Sequence, residues 1–126
     1  MAVIFYVVEL VGAGCMSLRY IEGSLRRINE NSIGFKLINY IESGAGYINL
    51  KVLLDGEDVT EESSIKIGGQ EERKVKPYMF VSSNYGDEVA VTISREKPIR
   101  KGPHKIKVEC TIDMLGFYST EFEGEV

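Results

Sequence analysis

His104 is the only histidine in the chain, and it stands in the turn Arg100-Lys101-Gly102-Pro103-His104-Lys105. An imidazole that titrates near neutral pH is the usual general base, metal ligand or proton shuttle, so this residue is the first place to look for chemistry. One imidazole is too few for a cupin-type metal site or a zinc hydrolase. A nucleophilic triad needs a base, an orienting carboxylate and a nucleophile, and no serine or cysteine here sits in a Gly-x-Ser-x-Gly elbow. His104 therefore has two readings. It reaches from the turn toward a partner or ligand, or it closes the turn by hydrogen bonding, as a corner tyrosine does in sandwich proteins.

The other reactive residue types point the same way. Glu57-Asp58, Glu61-Glu62, Glu71-Glu72 and Asp87-Glu88 are paired carboxylates without the alternating oxygen ligands of a calcium loop, and they read as turns and edge protection. Cys15 and Cys110 lie far apart with no metal-ligand spacing, which fits two small core hydrophobes in a reducing, cytoplasmic setting. Gly44-Ala45-Gly46 and Gly68-Gly69 lack the Gly-Lys pattern and following helix of a phosphate cradle, so both are expected to be hairpin turns. No cofactor or metal is implied, and the chain is not expected to be an enzyme on its own.

Two clusters remain as binding candidates. Arg95, Lys97, Arg100, Lys101, Lys105 and Lys107 surround His104, while the rest of the chain holds twice as many acidic as basic residues. This makes Arg100, Lys101, His104 and Lys105 a candidate contact for an acidic partner surface, alongside Ile4 and Tyr6 of the apolar first segment. Alternatively the cluster is a solvated loop and the wet face of a strand. Tyr78, Phe80 and Tyr85 form the closest aromatic group and could border a ligand or sugar site, the competing reading being core packing. At a net charge of −4 the chain is a poor fit to nucleic acid, whose phosphates require a broad positive surface.

The elements that carry these residues are strands. Ile33, Phe35 and Leu37 alternate with Gly34, Lys36 and Ile38; Ile48, Leu50, Val52 and Leu54 alternate with Asn49, Lys51 and Leu53; Val89, Val91 and Ile93 alternate with Ala90, Thr92 and Ser94; Ile106, Val108, Cys110 and Ile112 follow the same rule. Turn signals, among them Asp55-Gly56 and Ser82 to Asp87, recur about every ten residues. The pattern predicts one all-β domain over residues 1–126, an antiparallel β-sandwich or jelly roll. Leu18, Ile21, Leu25 and Ile28 also satisfy a helical spacing, but Gly23 and Ser24 interrupt it, and two strands around a turn at Glu22 to Ser24 are expected. Residues 1–15 read as a buried or intersubunit apolar strand: no basic residue precedes the run, Glu9 interrupts it, and it is shorter than the ~20 residues of a membrane helix. Met16-Ser17-Leu18-Arg19 would itself make an ordinary start. The wealth of Ile, Glu and Lys has a thermophile flavour.

The succession Gly23-Ser24-Leu25-Arg26-Arg27, Ile33-Gly34-Phe35-Lys36-Leu37, Val52-Leu53-Leu54-Asp55-Gly56-Glu57-Asp58-Val59 and Gly102-Pro103-His104-Lys105-Ile106-Lys107-Val108 resembles the small, beta subunit of C-glycoside deglycosidases. The resemblance implies a sandwich subunit that binds a larger, metal-carrying TIM-barrel subunit, and it assigns no catalytic residue. The expectation is a non-catalytic accessory or interaction subunit with a protein partner, either a second copy or a larger catalytic chain. The alternative is a small-ligand or carbohydrate-binding module.

Overall fold

In a computed structural model, residues 16–126 form a sandwich of two antiparallel sheets with no α-helix among them. The strands are β1 (Ser17–Tyr20), β2 (Arg26–Asn29), β3 (Ser32–Tyr40), β4 (Gly44–Leu54), β5 (Glu57–Asp58), β6 (Ser63–Ile67), β7 (Arg73–Lys74), β8 (Met79–Ser83), β9 (Glu88–Ser94), β10 (Pro103–Ile112) and β11 (Gly116–Glu125), with a single 3-10 turn at Thr60–Glu62. The apolar first segment, with Ile4, Tyr6 and Cys15, lies outside the described residues.

One sheet runs β1-β3-β9-β6-β7, with β2 also on β3; the other runs β11-β10-β4-β5, with β8 also on β4. The helical spacing of Leu18 to Ile28 does not produce a helix. β1 pairs with Tyr40 to Leu37 and β2 with Gly34 to Ser32, so the two are halves of one edge strand interrupted at Ile21–Leu25. Ser24 fills that interruption, its hydroxyl donating to the Ile21 carbonyl at 2.7 Å and accepting from the Lys36 amide at 2.9 Å.

Period-two alternation sends Ile33, Phe35, Leu37, Val91, Ile93 and Ile65 inward from the first sheet and Val52, Leu54, Ile106, Val108 and Cys110 from the second. Register is fixed by pairs that share a face, Val91 opposite Phe35 and Val108 opposite Val52, since a one-residue slip would expose the whole set. At one end the sheets are joined by aromatics: Phe122 stacks on Tyr20 with centroids 3.6 Å apart and meets Phe35 edge-on at 5.1 Å.

Two turns depart from or sharpen the sequence expectation. Asp55-Gly56 joins β4 to β5 with φ of 52° and 85°, the double positive φ of the hairpin turn that an Asp-Gly pair favours. Gly44-Ala45-Gly46 is not a turn: it is the first part of β4, paired with Ser83, Ser82 and Val81 of β8. Glycine is tolerated there because β8 supplies the ladder, and that placement shapes the cleft described next.

Candidate functional site

His104 is buried, and the structure gives it the turn-closing role. Alternation sets it in phase with Ile106, Val108 and Cys110, so its ring points between the sheets. Its Nε2 lies 2.6 Å from the Arg100 carbonyl and its Nδ1 2.5 Å from Asp55 Oδ2. A carbonyl only accepts, so Nε2 donates to Arg100, while Nδ1 faces the Asp55 carboxyl group. Asp55 also accepts from the Lys105 amide at 2.8 Å through Oδ1, while its own amide donates to the Lys105 carbonyl at 2.7 Å. Partial burial pushes the Asp55 carboxyl up, but the Lys105 amide, the imidazole hydrogen bond and the charges of His104 and Arg100 outweigh it and hold the group below its ordinary value of 3.8. The hairpin tip at Asp55 is thereby locked onto the start of β10. His104 has no nitrogen left for a partner or a substrate.

The basic cluster is dispersed in the same way. Arg95 forms ion pairs with Glu57 at 2.7 Å and Glu62 at 3.0 Å, Lys105 pairs with Glu121 at 3.4 Å, and Lys107 with Glu109 at 3.3 Å. Arg100 donates to the carbonyls of Lys101 and Pro103. Of the residues proposed to meet an acidic partner, Lys101 and the outer part of Arg100 remain open to solvent, and Lys105 is exposed but paired.

The aromatic candidates do not enter the core. Tyr78, Phe80 and Tyr85 are 65%, 51% and 60% exposed: Met79 takes the inward position beside Phe80, while Tyr78, at φ of 51°, and Tyr85 lie in turns. Tyr78 and Phe80 border a wide depression with Arg73, Lys74 and Lys76, whereas Tyr85 packs against Tyr40 elsewhere, so the three do not form one site. Phe80 meets Tyr47 edge-on at 5.1 Å, and the alternation of β4, β8 and β11 puts Tyr47, Phe80 and Phe117 on the outer face of the second sheet.

The feature that the sequence reading missed is an apolar cleft of about 490 Å3 between the sheets. Its walls are Leu37, Ile65, Ile67, Val89 and Val91 from one sheet and Ile48, Leu50, Val81, Cys110 and Ile112 from the other. Its floor reaches Val52 and Val108. The inward positions of β4 explain the space: reading back from Leu54, Val52, Leu50 and Ile48, the next two are Gly46 and Gly44, where no side chain bridges the sheets. A Cβ built on either glycine meets nothing within 4 Å.

The rim is held by Asn39, a buried polar residue in phase with Leu37. Its side-chain amide donates to the Glu42 carbonyl, Ser83 Oγ and the Asn84 carbonyl at 3.0–3.1 Å, and its Oδ1 accepts from the Ile41 amide at 2.8 Å. It is thus consumed in fixing the loop from Ile41 to Ser43. Ser43 Oγ in turn accepts from the Tyr85 amide at 2.7 Å. The opposite rim is the turn from Asp113 to Leu115, where Met114 is 99% exposed with φ of 73°. Cys110, a free thiol in the wall, is pushed up to about 11 by burial and so stays protonated and inert at neutral pH.

Among the described residues no group of three or more His, Cys, Asp or Glu is placed to hold a metal ion, and no helix is long and apolar enough to cross a membrane. No family model matches the chain, and no curated protein matches it. Among solved structures, a family 123 glycoside hydrolase from Clostridium perfringens is 13% identical with a TM-score of 0.46 over 79% of this chain, which spans only 21% of that enzyme. A conjugative transposon lipoprotein from Bacteroides eggerthii is 11% identical with a TM-score of 0.44, the match covering 86% of this chain and 94% of that one. The archaellum periplasmic stator protein FlaG from Sulfolobus acidocaldarius is 14% identical with a TM-score of 0.41, the match covering 86% of this chain and all of that one.

Proposed function

We propose that this chain is a non-catalytic binding module and that its working site is the cleft between the sheets, which takes an apolar guest. The observation that carries this reading is the cleft itself. Protein interiors are packed to crystal density with few voids larger than a water molecule, and about 490 Å3 of apolar space is a deliberate departure from that rule. Its volume falls in the ordinary range of ligand sites. Water gains little there, because the polar side chains at the wall, Asn39 and Ser83, are already engaged with one another and with backbone. A sugar would strand its hydroxyls against Leu, Ile and Val, at a cost of about 1–3 kcal/mol for each unpaired group. A hydrocarbon loses nothing and contributes about 0.8 kcal/mol per buried CH2.

The reading is tested by titrating the full chain with an uncharged naphthalene dye. With no tryptophan in the sequence, the protein contributes no competing indole emission. Saturable emission at one dye per chain, displaced by a linear alcohol, is expected. Emission that rises without saturation would mean that the dye touches only scattered surface, and the reading would be wrong.

A second reading is favoured by the outer face of the second sheet, where Tyr47, Phe80 and Phe117 are all at least half exposed. Exposed aromatic groups of this kind mark contact surfaces. On this reading the module is also a cytoplasmic accessory subunit, in keeping with the resemblance to the small subunit of C-glycoside deglycosidases, and a larger chain covers that face. Purification from the native source would then bring down a partner that Phe80→Ser releases. A chain that elutes alone at low and high salt would contradict it.

A further inference from the structure

We infer that the guest of the cleft is a single-tailed amphiphile whose head group is cationic, an inference that rests on the binding reading above. The tail follows from the size and chemistry of the cavity. An engineered cavity of about 150 Å3 lined by Leu, Ile and Phe takes one benzene ring, so a space of about 490 Å3 holds roughly three times as much hydrocarbon, enough for one chain of about twelve to sixteen carbons. Two tails do not fit. The wall offers that chain aliphatic side chains from both sheets, and the inward hole at Gly44 and Gly46 runs it toward the rim.

The head follows from the rim. Among the described residues that surround the cleft, the only charged ones are Glu42 in the loop after β3 and Asp113 in the turn after β10, and both are exposed. No lysine, arginine or histidine is among them. Neither carboxylate forms an ion pair among the described residues. The basic residues of the chain are drawn elsewhere, Arg95, Lys105 and Lys107 into pairs of their own. A head group that leaves the cleft therefore meets a rim that carries two carboxylates, one in the loop between the sheets and one in a hairpin of the second sheet. A carboxylate or phosphate head is repelled there, and an ammonium head is attracted.

The test compares three probes of equal length on the full chain at neutral pH and low salt: dodecylamine, dodecanol and dodecanoate, each below its micelle concentration, by calorimetric titration. The amine is expected to bind about tenfold more tightly than the carboxylate with the alcohol between them, and the ratio is expected to shrink with added salt. In the Glu42→Gln, Asp113→Asn double variant the ratio of amine to carboxylate falls toward one. If dodecanol binds but the three affinities are equal, or the carboxylate binds best, the head-group inference is wrong and the binding reading stands. If none of the three binds, the binding reading itself fails. Contacts in the unliganded full chain between the methyls of Leu37 or Ile112 and those of Val3 or Ile4, seen as nuclear Overhauser effects, would make the chain's own first segment the occupant and overturn both.

Discussion

Replacing His104 by alanine lowers the stability of the fold by about 3 kcal/mol, the order expected when a buried ring leaves a cavity and its hydrogen bonds to a carbonyl and a carboxyl group are lost. Asp55, the partner, is 41% exposed, so water relieves part of its loss. The change removes the imidazole from Asp55 Oδ2 and from the Arg100 carbonyl, which keeps only the longer contact from Arg27 Nη2 at 3.3 Å, and the space left by the ring lies beside Ile106 in the core. For a chain of this size the loss corresponds to a fall of about 10 °C in Tm. Asp55→Asn is milder, about 1–2 kcal/mol, since asparagine keeps the positive φ of the hairpin and an acceptor for the Lys105 amide. Its effect fades under acid. The carboxyl is held below its ordinary 3.8 in the folded chain, so its contribution is complete above that value and is lost as pH falls through the lower folded-state value. Urea titrations of wild type and Asp55→Asn should differ at pH 7 and converge under acid. A His104→Ala protein as stable as the wild type would show that the clamp does not hold the hairpin.

Gly46→Phe abolishes guest binding, at least tenfold, and leaves the fold intact. Gly46 faces inward opposite Val81, its backbone is not in the left-handed region, and a side chain there grows into open space. A phenyl ring occupies part of the volume a guest would use. Stability should stay level or rise, because a strand glycine costs conformational entropy and leaves its neighbours unpacked. Gly46→Leu serves as a second, smaller plug with a graded effect. Unchanged dye affinity in both variants, with Tm unchanged, would place any binding outside the cleft.

The frame of the molecule was legible because its strands obey one rule. Ile33 to Leu37, Ile48 to Leu54, Val89 to Ile93 and Ile106 to Ile112 alternate cleanly, and each is a strand with that face inward. The same rule places His104 inward, two residues before Ile106, and so favours its turn-closing role. What the rule cannot supply is the partner: Asp55 is 49 residues away and meets His104 only once β4 and β10 are side by side. Phe80 lies outward because Met79, an apolar residue of equal claim to the core, takes the inward position, and Tyr78, with φ of 51°, precedes β8 and escapes its alternation. The cleft was hidden because Gly44-Ala45-Gly46 carries the usual turn residues. Carrying the period of Leu54, Val52, Leu50 and Ile48 two steps further would have put Gly46 and Gly44 on the inner face and exposed the missing volume.

The central claim is that the space between the sheets receives an apolar guest, and methyl-labelled NMR during a dodecanol titration tests it most directly. The methyls of Leu37, Val89, Val81 and Ile112, which line the cleft, are expected to shift together and saturate at one molecule per chain. Those of Ile33, Ile93 and Ile106, in the same core but outside the cleft, should stay in place. Shifts spread evenly over both sets, or none in the first, would contradict the account.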